Sequence, residues 1–265
     1  MSSASRSSLR RANALASFWP PIIVAIVVLA LWYIAAQYWG LPKYILPSPD
    51  LIVSEGIESA DSLLRNGWVT LVEAASGFAI GVAAAVFVAL VLDSWRFLER
   101  GMSPYLVVGL NIPIVAIAPA VIIWLGFGMA SKIFVAALLT FFPVTIYTLK
   151  GLKAADRREV DLFSVLSASR FQELVKLRMP SSLPFFFASM RVASGAAVLA
   201  AVVAEFIQAN AGLGYMILTA AYTNNSARIW AAVAVSASIA LVFYGIVTFA
   251  ERKLIPWHGS VDARR

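Results

Sequence analysis

Long apolar runs alternate with short polar segments along this chain. Six runs approach or exceed the about 20 residues that a membrane-spanning helix needs; they cover residues 20–39, 68–92, 104–127, 133–149, 185–207 and 229–250. A spanning segment surrounded by lipid must satisfy its backbone internally, so runs of this length are helices. The pattern predicts an all-α integral membrane protein with six transmembrane helices over residues 20–250, between polar tails at 1–19 and 251–265.

The one long charged interval, residues 150–184, separates the fourth and fifth runs and holds seven of the 21 basic residues. Apolar positions recur there at steps of mostly three and four, which is typical of an amphipathic helix; they are Val160, Phe163, Leu166, Phe171, Leu174 and Leu177. Small hydroxyl residues at 167–170 favour a turn. We expect Pro180 and Pro184 to end the second helix. Such a helix–turn–helix is a docking element, and the alternative is a solvated loop whose charges set topology.

Composition agrees with a membrane protein, at 61% hydrophobic residues, 13% charged residues and a mean hydropathy of +0.83. The net charge of +7 is then a topology signal, and no nucleic acid partner is expected. The absence of cysteine excludes disulfides and thiolate chemistry. The single histidine, His258, lies in the C-terminal tail, where a metal or catalytic role is not expected.

Lysine and arginine show which side of the membrane each loop occupies. Sixteen of them fall on one side with both tails and the 150–184 interval, and four fall on the other, namely Lys43, Arg65, Lys132 and Arg228. Arg191, near the inner end of the fifth run, is expected to reach the inner surface. The count predicts cytoplasmic termini and a cytoplasmic 150–184 interval. We expect the first run to be an uncleaved anchor rather than a signal peptide.

Some apolar runs carry polar or helix-breaking residues. Asn111, Pro113 and Pro119 coincide in the third run, which favours irregular backbone along a water-filled path. Pro143 alone indicates an ordinary kink. Gly77 and Gly81 form a small-xxx-small pair that permits close helix packing.

Acidic residues inside the apolar runs give little sign of chemistry. For Glu73 and Glu205, a place near the outer boundary is at least as plausible as a role in moving substrate. No paired intramembrane carboxylates suggest a proton relay. No GxxxxGK[ST] motif occurs and no lysine follows a glycine, so any nucleotide-driven motor would be another polypeptide.

The charged interval resembles the EAA–x3–G–x9–I–x–L–P loop of permease subunits of bacterial ABC importers. Its spacing is kept, with Asp161 first, Ser167 at the glycine and Pro180 at the proline. Leu162 and Phe163 replace the two alanines. Further pieces resemble the nitrate/sulfonate/taurine branch; they are the LPSP at 46–49, the Pro/Trp/Gly-containing run at 113–128, the FFP at 141–143 and the AE…GLGY at 204–215.

The resemblance implies a type I ABC importer permease that works as a homodimer in the bacterial inner membrane. Its partners would be two cytoplasmic ATPase subunits, which bind the ATP and magnesium, and a periplasmic or lipid-anchored binding protein. The chain itself would bind no cofactor and catalyse no reaction. Substrates of the branch include sulfonates, taurine, nitrate, thiamine precursors and riboflavin.

Two groups of site residues follow from the resemblance. The ATPase-coupling loop would comprise Val160, Asp161, Leu162, Phe163, Leu166, Ser167, Ala168, Ser169, Arg170 and Pro180. The translocation path would include Asn111, Pro113, Pro119 and Trp124. The principal alternative is a secondary transporter driven by an ion gradient, which would need buried acids and inverted repeats; neither is evident in the sequence.

Overall fold

The computed structural model describes residues 3–39, 42–208 and 210–256, and these form helices joined by turns. The elements are α1 (Ser3–Tyr38), α2 (Pro49–Glu58), α3 (Ala60–Ser94), α4 (Arg96–Asn111), α5 (Ile114–Leu125), α6 (Met129–Leu152), α7 (Arg157–Val165), α8 (Arg170–Glu173), a π-helical turn (Leu174–Arg178), α9 (Met179–Gln208), α10 (Leu213–Tyr222) and α11 (Ser226–Leu254). His258 lies outside the described residues.

Five helical segments in the described part of the chain are long and apolar enough to cross a membrane. Helices α4 and α5 are together long and apolar enough for a sixth span, and they bend by 101° at the break between them. Six spans therefore agree with the prediction when the bent pair is counted as one. The first span, Trp19–Tyr38, agrees with the predicted run at 20–39, and the helix that contains it begins at Ser3.

The helices belong to two compact units, the first comprising Met1–Ala60 with Ala220–Ala231. In this unit the Trp32 indole Nε1 donates to the Pro47 carbonyl at 3.1 Å. The Trp32 and Trp230 rings pack 5.1 Å apart. These contacts join α1 to the segment before α2 and to the start of α11.

A second set of polar contacts in this unit centres on Glu55 of α2. Its carboxylate accepts a hydrogen bond from the Arg228 guanidinium at 2.7 Å and one from the Ser59 hydroxyl at 2.8 Å. Burial raises the pKa of Glu55, but hydrogen bonds from Ser59, Arg228 and Asn225 outweigh burial and hold this pKa below its ordinary value of 4.5.

The second unit comprises Asp61–Thr219 with Ala232–Arg265. One stripe of α3 is buried along almost its whole length, at steps of three and four; its members are Leu63, Gly67, Thr70, Glu73, Ala74, Gly77, Gly81, Ala85, Ala89 and Leu92. This spacing keeps one helix face against its neighbours. The stripe is polar at Thr70 and Glu73, has glycine at 77 and 81, and is aliphatic from Ala85 to Leu92.

Gly77 and Gly81 let α3 and α6 approach until their backbones touch. A Cβ added at Gly77 would lie 2.5 Å from the Ala136 Cβ, and one added at Gly81 would lie 2.5 Å from the Ala137 carbonyl oxygen. The small-xxx-small prediction is therefore confirmed.

The core of this unit is built from small side chains where α5, α6 and α9 meet. One buried cluster takes two residues from each helix; they are Ala118, Val121, Val135, Ala136, Ala200 and Ala204. Helix α6 runs without interruption through Pro143.

Two of the segments between the apolar runs contain helix. The segment 93–103, between the second and third apolar runs, is almost entirely helical, because α3 reaches Ser94 and α4 begins at Arg96. The AGLGY segment at residues 211–215, between the fifth and sixth runs, enters a helix, because α10 begins at Leu213.

Pro180 and Pro184 do not end a helix, because α9 begins at Met179 and continues through both. For Pro180, the π-helical turn just before it explains this result. Its wider hydrogen bond, from the Met179 amide to the Leu174 carbonyl, alters the backbone pairing where the Pro180 ring would clash with a regular α-helical turn.

Candidate functional site

The 150–184 interval folds into short helices whose ends are closed by local hydrogen bonds. Asp156 caps α7, since its carboxylate accepts from the Arg158 amide at 2.9 Å. At the other end the Ser167 amide donates to the Ser164 carbonyl and the Ala168 amide to the Phe163 carbonyl, both at 3.0 Å. This pair of bonds is a Schellman motif.

Ser167 holds the left-handed position of that motif, with φ +52°. Glycine adopts this conformation without steric cost, whereas a residue with a Cβ does not. The structure thus gives a physical reason for a glycine at this position of the EAA-like spacing. Serine adopts the same left-handed conformation here, so the turn forms without glycine.

A new helix, α8, begins directly after the turn. Ser169 and Gln172 form a capping box around α8, with bonds of 3.2 Å and 2.9 Å between side chain and backbone. Arg170 is the first residue of α8 and is exposed. The break predicted at 167–170 is therefore present.

The surface of this loop is unusually apolar for an exposed segment. Leu162, Val165, Leu166 and Phe171 are 55%, 81%, 68% and 73% exposed. By contrast, Val160, Phe163 and Ala168 are half-buried, and Asp161 is exposed. Apolar side chains displayed together on a rigid element mark a surface that a partner can cover.

Ion pairs connect the loop region to the ends of neighbouring helices. Arg178, in the π-helical turn, contacts Glu173 at 2.7 Å and Asp93 at the end of α3 at 3.3 Å. Lys153 pairs with Glu99 of α4. Movement of the loop would pull directly on α3 and α4.

The four residues predicted for a translocation path lie along the broken span. Asn111 ends α4 and donates from its side chain to the Val107 carbonyl at 2.8 Å, while Pro113 caps α5 and Pro119 lies inside it. Trp124 is 76% exposed near the end of α5. The break falls at the Asn111–Pro113 position, and all four residues are exposed rather than gathered around one point.

A buried polar cluster, which the sequence analysis missed, lies between α3, α6, α9 and α10. We call Asn66, Thr70, Glu73, Lys132 and Glu205 the buried polar cluster. Glu205 and Thr70 are fully buried, and the Thr70 hydroxyl donates to the Glu205 carboxylate at 2.7 Å. The Lys132 ammonium lies 3.2 Å from the Glu73 carboxylate.

This cluster corrects two sequence-based expectations. The carboxyl groups of Glu73 and Glu205 lie next to each other, so the chain does contain paired intramembrane carboxylates. Lys132 was counted among outer-loop cations but is 7% exposed and paired. Outside the cluster, Arg191 pairs with the buried Glu251 of α11, and its place at the inner surface stays a prediction.

A signal for the cluster was present in the sequence. Asn66, Thr70 and Glu73 are spaced by four and three, which places them on one helix face. Their partner Glu205 precedes the glycines of the AGLGY segment by only a few residues. The pairing itself depends on how α9 folds back on α3, which spacing does not reveal.

Comparison with known proteins identifies the family. The family described as "Binding-protein-dependent transport system inner membrane component" matches residues 77–256. A probable ABC transporter permease protein of Haemophilus influenzae is 34% identical over 84% of this chain and 91% of its own length.

Two further relatives have names that state a substrate. The formylaminopyrimidine transport permease protein of Halalkalibacterium halodurans is 32% identical over 89% of this chain and 95% of its own. The riboflavin transport system permease protein of Chloroflexus aurantiacus is 32% identical over 91% of this chain and 92% of its own.

A solved structure supports the fold. The crystal structure of an amino acid ABC transporter with histidines superposes with a TM-score of 0.63 at 15% identity, covering 77% of this chain and 98% of that one. The spans and this similarity establish a multi-pass inner-membrane protein with the type I permease fold, and they do not support an ion-driven secondary transporter. The chain belongs to the family of binding-protein-dependent transport system inner membrane components, the permeases of ABC importers.

Proposed function

We propose that two copies of this chain form the transmembrane pathway of an ATP-driven importer for a small heteroaromatic nutrient. Residues 20–250 form the membrane domain of each copy, and both termini lie in the cytoplasm. A binding protein delivers the nutrient on the outer side. Two separate ATPase subunits bind ATP and magnesium, and each holds the coupling loop of one permease.

The exposed apolar surface of α7 and its turn carries the coupling proposal. Leu162, Val165 and Leu166 lie on a short helix whose two ends are capped, so the surface has a defined shape. An amphipathic helix of this kind fits an apolar groove on a partner. The residues assigned to the coupling loop include Leu162 and Leu166 of this surface, and the others between 160 and 170 adjoin it in sequence.

Ionic contacts support a mechanical role for the same loop. Arg178 contacts Asp93 of α3, and Lys153 contacts Glu99 of α4. A pull by the ATPase on α7 would thus reach two helices of the membrane domain, α3 and α4. The broken span with Asn111, Pro113, Pro119 and Trp124 is our candidate for the pathway lining, since unwound backbone is tolerated only away from lipid.

Support for a heteroaromatic nutrient comes from the relatives. Two of them at 32% identity are named for formylaminopyrimidine and riboflavin transport. A putative aliphatic sulfonates transport permease protein of Bacillus subtilis is 29% identical over 91% of this chain, so sulfonates are the second candidate class.

The coupling role is tested with Val165→Asp. A charge on this 81% exposed residue would be buried in the ATPase groove without a partner. We expect ATPase co-purification to fall about tenfold or more, from the lost burial of one apolar side chain. Val53→Asp on α2 is the matched control, since Val53 is also exposed, at 61%, and should leave co-purification unchanged. Equal effects of the two changes would refute the coupling role.

Orientation and substrate need separate measurements. The cysteine-free chain accepts single probes, so Ser164→Cys should resist an impermeant thiol reagent in intact cells while Ser54→Cys reacts.

For substrate, the complex reconstituted with its binding protein is offered pyrimidines, flavins and alkanesulfonates. Stimulation of ATP hydrolysis by sulfonates alone would overturn the heteroaromatic assignment.

A further inference from the structure

The first turn of α10 is held by side chains rather than by ordinary packing. Backbone amides at a helix start have no partner within the helix. Here three successive amides find acceptors in the buried polar cluster: Gly212 on the Asn66 side-chain oxygen at 2.8 Å, Leu213 on the Thr70 hydroxyl at 2.9 Å and Gly214 on the Glu205 carboxylate at 2.5 Å. Two of these hydrogen bonds therefore join α3 to the start of α10, and the third joins α9 to it.

Both glycines of this turn are required by close approach. Gly212 has φ +112°, which disfavours any residue with a Cβ, and an added Cβ would overlap the Glu205 carboxylate. An added Cβ at Gly214 would overlap the Val202 carbonyl. The turn is shaped to fit around one carboxylate.

Within the cluster, the carboxylate of Glu73 has incomplete hydrogen bonding. Its side chain is 1% exposed, yet neither carboxylate oxygen accepts a hydrogen bond of good geometry from the described residues. Its contacts are the Lys132 ammonium at 3.2 Å and the neighbouring Glu205. A buried carboxylate short of donors is costly, so a rearrangement that gives Glu73 a donor would be favoured.

The cluster lies at the end of α9 opposite the coupling loop. From Met179 to Glu205 the helix rises about 39 Å at ~1.5 Å per residue, which is more than the ~30 Å hydrocarbon core. Helix α10 has ten residues and is too short to span the membrane. It can move without carrying a whole span with it.

We propose that the buried polar cluster is a latch, in which Glu205 and Thr70 hold the first turn of α10 against α3, and that this turn leaves α3 when the pathway opens to the outer side. Glu205 is then a positioning residue of the transport cycle. This inference rests on the proposed function, because it assumes a permease whose outer end opens in each cycle.

The direct test is a disulfide between α3 and α10. The Ser62 hydroxyl lies 3.9 Å from the Met216 sulfur, and the chain contains no natural cysteine. We make Ser62→Cys with Met216→Cys in the complete complex, and oxidise it in proteoliposomes without nucleotide. The expected result is a loss of binding-protein-stimulated transport that dithiothreitol restores. Each single-cysteine variant, oxidised in the same way, is the control.

Two outcomes overturn the latch. One is full transport by a quantitatively crosslinked complex, since α10 would then not need to leave α3. The other is failure of these cysteines to crosslink without nucleotide, by oxidation or with a short thiol crosslinker, since α10 would then not lie where the latch requires. Transport by the unmodified complex is measured first, so that failure of the proposed function is recognised separately.

Glu205→Gln provides an independent test with nearly unchanged side-chain volume. The amide cannot accept from both Thr70 and Gly214 with its nitrogen facing one of them, so one of these two hydrogen bonds is lost. We expect the ratio of stimulated to basal ATP hydrolysis to fall because the basal rate rises, with about a tenfold shift toward the open state. Glu58→Gln, outside the cluster, is the control. An unchanged ratio at normal thermal stability would refute the positioning role.

Discussion

Substitution of Gly81 by alanine tests how tightly α3 and α6 pack. The new Cβ would lie 2.5 Å from the Ala137 carbonyl oxygen and 2.7 Å from the Thr140 Cβ. Neither atom is the end of a flexible side chain, because one is backbone and the other is attached directly to it. The helices must therefore separate, or α6 must shift along α3.

The size of the effect follows from two opposing terms. Overpacking of a well-filled interface costs about 2–3 kcal/mol when the neighbours cannot rotate away. The gain in helix propensity from glycine to alanine returns ~1 kcal/mol. The expected net loss of stability is about 1–2 kcal/mol.

The matched control is Gly101→Ala in α4, because a Cβ there meets nothing within 4 Å. Both sites lie inside helices, so the propensity gain is the same and only the packing term differs. Unfolding free energies in detergent micelles, measured for both variants and the parent, give the comparison. Stabilisation by Gly81→Ala equal to that of Gly101→Ala would show that the helix contact has been misread.

Three further predictions concern the loop and two ion pairs. Ser167→Gly should stabilise the coupling loop by about 1 kcal/mol by relieving the left-handed conformation, and slower tryptic cleavage of the loop would report it; faster cleavage would argue against the turn. The pKa of Glu55 lies below 4.5 because its hydrogen bonds outweigh burial, so its contribution is present at neutral pH and is lost as the pH falls through that lower value. Unfolding measured from pH 7 to 3 should depend less on pH in Glu55→Gln, and an identical profile would contradict this. Arg191→Ala leaves the buried Glu251 without its cation and should cost about 2–3 kcal/mol in thermal unfolding, more than Glu251→Gln; equal losses would count against the pairing.

Much of the fold could be predicted from one-dimensional patterns. Span number and helix class followed from run length, because lipid leaves the backbone no other choice. The contact at Gly77 and Gly81 followed from spacing alone, since residues four apart share a helix face. The turn at Ser167 was also predictable, as small hydroxyl residues interrupt the apolar period there.

What spacing could not reveal was pairing between distant segments. Glu73, Lys132 and Glu205 lie on three different helices, and each alone reads as an isolated polar residue near a span end. Their assembly depends on tertiary packing of α3, α6 and α9. Pro180 was misjudged for a local reason: a π-helical turn, which has no clear sequence signature, accommodates the proline within a continuous helix.

The two caps that bracket α7 have a consequence for how strongly this helix would bind the ATPase. Asp156 at one end and the Ser167 turn at the other define the loop through its own neighbours in sequence, before any partner arrives. A segment already in its bound shape loses little conformational entropy on association. In the coupling role that we propose, more of the contact energy therefore contributes to affinity, and the loop does not have to fold again in each turnover.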